Sequence, residues 1–380
     1  MKVRKARAVF SSALAIVVLA ATAQAAGASS LYWANYTGDS IGRYNLDFTG
    51  LEYSLISDPL LDGPDHLAND SNYLYWSSYV TAQIGRSNLD GSEPDFGFID
   101  LPAPSINAGG VAVDSNYVYW TDYDSRIGRA NLDGTDVDGE FITGQATPYG
   151  LAVDSNFIYW GNTDGSIGRA NLDGTGVDRS FIDREADGVA VNANHIYWTY
   201  YDGDSIGRAN LNGTGADPEF ITLPPEAGPD GIALSSNHVY WANYGPGDSI
   251  GRANLDGSDA ANIILSDSIF GVTGVTVRET IASISRVRVT GPAKARRGKS
   301  VSYRVAINNS GTAAATAVRA KISGRGVSVN TAVGPIAAGA TKTVTVKAKF
   351  RKTGTVRAKV VVTSANGGTR TVNKTVKVVR

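Results

Sequence analysis

The side chains able to do chemistry are few: the 380-residue chain has three histidines and no cysteine. Without cysteine there is no disulfide framework, thiolate metal site or thiol nucleophile. His66 follows Asp65, and Asp187 and Asp230 stand at comparable places in later parts of a repeat. An imidazole with converging carboxylates could serve an extracellular lyase or hydrolase as general acid and base. Such an enzyme would gather His66, Asp65, Asp187 and Asp230 at one mouth of a central channel, and a bound metal there would be its strongest sign. His195 and His238 stand three residues before a tryptophan, where other copies have Tyr73, Tyr117 and Phe157, and read as strand residues. No local segment spaces the histidines as metal ligands. Asp133 to Glu140 looks like a calcium loop but lacks the twelve-residue spacing with a terminal glutamate. It reads as an acidic hairpin turn. A structural calcium elsewhere has no assigned place, and no cofactor is implied.

A second group suits recognition rather than catalysis. Three residues past successive tryptophans lie Tyr36, Tyr79, Tyr123, Tyr201 and Tyr244, with Thr163 in the remaining copy. Around them cluster Asn35, Asp122, Asn162, Asp164, Asp202 and Asn243, with Asp124, Asp204 and Asp248 close by in sequence. Tyrosine supplies contact area and the polar groups supply direction, so the set could form a binding rim. The plainer alternative is tyrosines that pack loop against loop.

These residues hang on a unit repeated six times. Each copy carries Tyr-Trp, then a polar turn, then Ile-Gly-Arg. The tryptophans are Trp33, Trp76, Trp120, Trp160, Trp198 and Trp241, spaced by 43, 44, 40, 38 and 43 residues. The arginines are Arg43, Arg86, Arg129, Arg169, Arg208 and Arg252. Identical placement in every copy marks them as blade anchors, bonded to carbonyls or acids, rather than as a ligand ring. A period near 40 residues with little helical signal means a propeller or solenoid of strands. Four strands can be read per unit. The first is like Gly110 to Val113, with a poorer copy at His66-Leu67-Ala68, and the second carries Tyr-Trp. The third is Ile-Gly-Arg-Ala-Asn-Leu, and the fourth is short, as at Phe141-Ile142. Asp-Gly turns such as Asp133-Gly134 join the last two, where glycine accepts positive φ.

The first unit lacks its own first strand, and a spare one, Gly274-Val275-Thr276-Val277, follows the last unit. The two fit if the array closes into a ring and so hides its edges. The units resemble the YWTD (class B) repeats of the low-density-lipoprotein-receptor family over roughly residues 30–278. That resemblance implies a six-bladed β-propeller whose face docks protein partners. Only Trp120-Thr121-Asp122 keeps the full ending of the motif, and the cysteine-rich module of animal receptors is missing.

Three segments follow from composition. Residues 1–25 read as a secretory signal peptide: basic Lys2 to Arg7, apolar Ala8 to Thr22, then Ala23-Gln24-Ala25. Residues 27–280 form the propeller and carry a net charge of −26. Residues 283–380 alternate Val with Thr, Lys and Arg between turns, which reads as an immunoglobulin-like β-sandwich. From residue 281 on there are 21 Lys+Arg and no acid. The run Asn308-Asn309-Ser310-Gly311, with Gly334-Pro335-Ile336-Ala337-Ala338-Gly339, resembles bacterial CARDB-like domains. The chain is therefore expected to be all-β, secreted or cell-surface associated, and of bacterial type. The leading reading is a non-catalytic binding or adhesion protein. Its propeller face would hold a protein or carbohydrate, and its basic domain would hold an anionic cell-envelope polymer. Export argues against nucleic acid as the partner of that positive charge.

Overall fold

The computed structural model describes residues 29–103, 105, 107–265, 269 and 271–380. The signal peptide read at residues 1–25 lies outside the described residues. No described helix is long and apolar enough to cross a membrane; the described secondary structure is strands and turns.

Six four-stranded antiparallel sheets form the first part. Blade 1 takes its innermost strand from the far end of the array. Val272–Arg278 pairs with Ser30–Asn35, with Trp33 opposite Val275 and Leu31 opposite Val277. The spare strand fills the gap that the sequence leaves, and the ring closes. The innermost strands of blades 2 to 6 are Pro64–Asn69, Ala108–Val113, Pro148–Val153, Val189–Val191 and Pro229–Leu234.

The repeated motif has a packing cause in every blade. Each tryptophan is opposite the glycine of Ile-Gly-Arg on the adjacent strand, as in Trp120 with Gly128 and Trp198 with Gly207. The indole lies flat across that glycine. A Cβ on Gly128 would stand 2.4 Å from the ring of Trp120, and one on Gly42 would stand 2.1 Å from Trp33. Carbon atoms pack at about 3.5–4.0 Å, so the ring fits only where the side chain is absent.

The arginine works between blades. Arg129 donates to the Leu172 carbonyl of the following blade at 3.3 Å, and Arg86 to that of Leu132 at 3.1 Å. Its guanidinium also caps aromatic faces, 3.9 Å above Phe141 and 4.6 Å above Tyr117 for Arg129. The preceding tyrosine is buried and its hydroxyl is bonded: Tyr119 donates to Asp114 at 3.1 Å and Tyr32 to the Leu89 carbonyl at 2.9 Å. Apolar clusters form at the blade junctions, for example Tyr119, Leu151, Ile158 and Trp160.

Residues Ile284–Val379 form a sandwich of a three-stranded and a five-stranded sheet. Val305, Ile307, Val346, Phe350, Val360 and Val376 share its core. Asn309 is wholly buried and fully bonded. Its amide donates to the carbonyls of Ala313, Ile336 and Ala337 at 2.7, 3.1 and 3.1 Å, and its oxygen accepts from Ser283 and Gly311 at 2.9 and 3.1 Å. One side chain thus ties the Asn-Ser-Gly turn to the Gly334–Gly339 loop.

Candidate binding face at one mouth of the propeller

The innermost strands start at the end of the ring where the second strands finish: Pro64 is opposite Ser78, and Asn69 opposite Leu74. The loops that follow Tyr-Trp and the loops that lead into the innermost strands therefore share one mouth. Backbone bonds hold them together. Tyr36, Tyr79 and Tyr244 donate their N–H groups to Gly271, Gly63 and Gly228 at 2.8, 3.0 and 2.8 Å. Rim acids bond the next blade: Asp39 accepts from Gly63, Asp204 from Gly228 and Asp248 from Gly271, at 3.0, 2.9 and 2.6 Å.

The rim tyrosines form two arcs. Tyr36 meets Tyr79 edge-on at 5.9 Å, Tyr79 meets Tyr123 at 5.2 Å, and Tyr123 meets Tyr149 at 5.6 Å between ring centres. On the other side Tyr201 and Tyr244 lie 6.5 Å apart. A cavity of about 320 Å³ opens between them, lined also by Asp248, Gly271 and Thr37. Tyr201 remains 37 % exposed. The tyrosines thus pack loop on loop and still present aromatic surface.

The amides and one acid expected on the rim sit elsewhere. Asn35, Asp122, Asn162 and Asn243 are at most 5 % exposed. They turn back over their own blades, because the start of the third strand offers them a partner. Asn35, Asn162 and Asn243 donate to Ser40, Ser166 and Ser249 at 2.9, 3.1 and 2.8 Å. Asp122 pairs with Arg126 at 3.0 Å. These four are hairpin latches, and the binding rim is corrected by their removal from it. Asp164 and Asp202 are exposed, with Asp164 accepting from Ser166 at 2.6 Å.

Three of the four channel residues, His66, Asp65 and Asp230, come together. His66 Nδ1 lies 3.4 Å from Asp65, and Nε2 lies 3.8 Å from Asp230, which reaches in from blade 6. Asp187 is near enough for its charge to act on His66. Tyr149, whose side chain the sequence reading passed over, completes the group. Its ring meets His66 edge-on at 4.9 Å, and its hydroxyl donates to Asp230 at 3.3 Å. His66, Tyr149 and Asp230 come from blades 2, 4 and 6, so they converge on the axis. They close the mouth of a channel whose other end is lined by aliphatic residues such as Val113, Val153 and Val191 around about 200 Å³.

Register explains why His66 is singular. The residue before the one opposite each tryptophan is Gly110, Gly150, Gly188, Gly231 and Gly274 in five blades and His66 in the sixth. A Cβ on Gly150 would stand 2.2 Å from the Asp187 carbonyl, and one on Gly274 would stand 2.2 Å from that of Asp65. Each of these glycines is required by close approach of the next blade. One place earlier stand Asp65, Gly109, Tyr149, Asp187, Asp230 and Thr273, a ring of residues at the mouth. The signal for Tyr149 was its place before Gly150, matching Asp187 and Asp230 before Gly188 and Gly231.

Electrostatics at the mouth follow from burial. Burial opposes the His66 charge, but Asp65, then Asp230 and Asp187, outweigh it and raise its pKa to about 9. Burial raises Asp187 to about 6, against a bond from the Tyr201 N–H. Asp230 is pushed well above the usual carboxylate range, again by burial. The phenols of Tyr123 and Tyr149 are pushed up by burial, and by Asp65 and Asp230, and stay neutral. His195 and His238, the strand residues, shift the other way because burial and then an arginine disfavour their charge. Among the described residues, no group of three or more His, Asp or Glu has an arrangement that could hold a metal ion.

Residues 284–368 match the CARDB family profile. No curated protein matches the chain. Among solved structures, a chain from a nidogen/laminin complex superposes with a TM-score of 0.56 at 20 % identity, covering 66 % of this chain and 98 % of that one. The CARDB domain of a Pyrococcus furiosus protein, solved with two metal ions, aligns over 26 % of this chain and 90 % of its own at 19 % identity, with a TM-score of 0.22. The first of these likenesses shows fold alone. That likeness and the six closed sheets make the first part a six-bladed β-propeller, and the family match places a CARDB domain at residues 284–368.

Proposed function

We propose that the protein is a secreted or cell-surface, non-catalytic binding and adhesion protein. The propeller mouth holds a protein or carbohydrate partner, and the C-terminal domain associates with an anionic cell-envelope polymer. The observation that carries the first half is the arc Tyr36–Tyr79–Tyr123–Tyr149, with Tyr201 and Tyr244 across the mouth, all on one face. Aromatic anchors of this kind dominate interface energetics. The structurally similar chain comes from a protein–protein complex, which agrees with that use of the fold. For the second half, both outer sheet faces of the sandwich are basic. Arg286, Arg288, Arg304 and Lys347 are exposed on one, and Arg319, Lys321, Arg357 and Lys359 on the other.

Retention on purified cell wall, with and without residues 281–380, tests the anchor. The full chain should bind at low salt and release as salt rises, and the truncated chain should pass through. Equal retention of both forms would sink the anchor. For the propeller face, a partner captured from the envelope fraction should be lost with Tyr79→Ala plus Tyr123→Ala.

The convergence of His66, Asp65, Asp230 and Tyr149 favours a second reading, an extracellular lyase or hydrolase with its site at the channel. Turnover abolished by His66→Gly would decide for it.

A further inference from the structure

We propose that the His66 mouth is a binding site for an organic cation, an ammonium or guanidinium group such as a lysine or arginine side chain. The proposal deepens the binding reading and rests on it, since it names what this face receives. Three carboxylates, Asp65, Asp187 and Asp230, reach the mouth from three blades. Among the described residues the cationic group paired with Asp65 and Asp230 is His66, and Asp187 accepts from the Tyr201 N–H at 2.7 Å. A single imidazole thus faces three carboxyl groups.

The second observation is a set of unmet hydrogen bonds. Asp65 Oδ2, Asp230 Oδ1 and both ring nitrogens of His66 are buried and make no hydrogen bond, their approaches to one another being long ion pairs of 3.4 and 3.8 Å. Asp65, His66 and Asp230 are each more than nine-tenths buried. Native proteins rarely leave such atoms unpaired. An ionised carboxylate oxygen only accepts, so a docked cation would supply Asp65 Oδ2 and Asp230 Oδ1 with a donor and favour the ionised form of Asp230. An ammonium brings three donors and a guanidinium five, whereas a neutral sugar would leave the charge uncompensated.

The third is the aromatic wall. Tyr123 and Tyr149 border the carboxylates, with Tyr79 and Tyr36 behind, and neutral phenol rings attract cations through their faces. The −26 net charge of residues 27–280 draws cations toward the propeller before contact. His66 occupies the register position that is glycine in the other five blades, and so acts as a resident cation that an incoming one displaces or joins.

Calorimetry on the full mature chain tests this with matched probes, butylguanidine against its neutral isostere butylurea. A pentapeptide Gly-Gly-Arg-Gly-Gly with blocked ends, against the same peptide carrying citrulline, distinguishes a partner's side chain from a free amine. The charged probe of each pair should bind and the neutral one should not. Tighter binding of the peptide assigns the site to a partner protein, and equal binding assigns it to small cations. Asp230→Asn should weaken the charged probe by about tenfold or more. His66→Gly, which restores the repeat, should leave it equal or tighter. If Asp230→Asn does not fold, His66→Gly decides alone, and weaker binding in it overturns the proposal. So does equal binding of charged and neutral probes, or indifference to Asp230→Asn. Partner capture that still depends on Tyr79 and Tyr123 in that event would leave the docking face standing and remove only its cation site.

Discussion

Replacing Gly128 with alanine tests why the repeat reads Ile-Gly-Arg. The added Cβ would lie 2.4 Å from Cε2 and from Cζ2 of Trp120, more than 1 Å inside the ~3.5 Å contact distance of carbon. Trp120 is wholly buried and has no room to retreat. Overpacking of this kind costs about 1–3 kcal/mol. Against it, alanine in place of a strand glycine gains about 0.5–1 kcal/mol. The net expectation is a loss of about 1–2 kcal/mol. Gly97 is the control: it is exposed, and its added Cβ would meet only the ends of the Gln83 and Asp100 side chains, at 3.3 and 3.9 Å. Gly97→Ala should therefore be neutral or stabilising by up to about 0.5 kcal/mol. Urea unfolding followed by tryptophan fluorescence reads the propeller alone, because all six tryptophans lie in residues 27–280. The Gly128→Ala midpoint should fall, and the Gly97→Ala midpoint should hold or rise. Equal midpoints for Gly128→Ala and Gly97→Ala would refute the packing argument, as would a Trp120→Leu background that leaves the cost of Gly128→Ala unchanged.

Arg129→Lys keeps the charge but loses the planar stacking on Phe141 and Tyr117, and should cost ~1 kcal/mol in the same assay. Asn309→Leu strands the carbonyls of Ala313, Ile336 and Ala337 and should cost about 3 kcal/mol or more, read by circular dichroism of the C-terminal domain. The pKa of His66 is raised from 6.5 to about 9, so its stabilising contribution is complete below pH 6.5 and lost as pH rises through 9. His66→Gly should flatten the fall in melting temperature across that window. Asp187, raised from 3.8 to about 6, works in the other range: the folded state holds its proton more tightly, so stability falls as pH climbs from 3.8 through 6. Asp187→Asn should remove that slope.

Ring closure was legible because an absent first strand and a surplus one sit at opposite ends of the array, and periodicity counts strands without knowing distances. The role of the motif glycine was not legible. Sequence shows that Gly128 repeats, but only the indole lying across it shows why. The site divides along the same line. His66 stood out by breaking the repeat, since glycine fills its register elsewhere. Asn35, Asn162 and Asn243 were misplaced because one residue decides whether a loop side chain faces solvent or turns back, and the serine that turns each back lies on the next strand. Tyr149 was missed because its partners, Asp230 and His66, are 81 and 83 residues away in sequence and meet it only across the ring axis. Phe48 is a similar case: the irregular turn of blade 1 places it 5.0 Å beneath Arg252 of blade 6, a contact between the ends of the array that no local pattern contains.

With three histidines in the chain, titrating their imidazoles by nitrogen-resolved NMR reads the convergence at the mouth directly. One resonance, removed by His66→Gly, should titrate near pH 9, and shift downward when Asp230 is replaced by asparagine. The other two should titrate below the ordinary value of 6.5. Three histidines titrating together near 6.5 would mean that Asp65 and Asp230 do not flank His66, and that the propeller has no charged centre at that mouth.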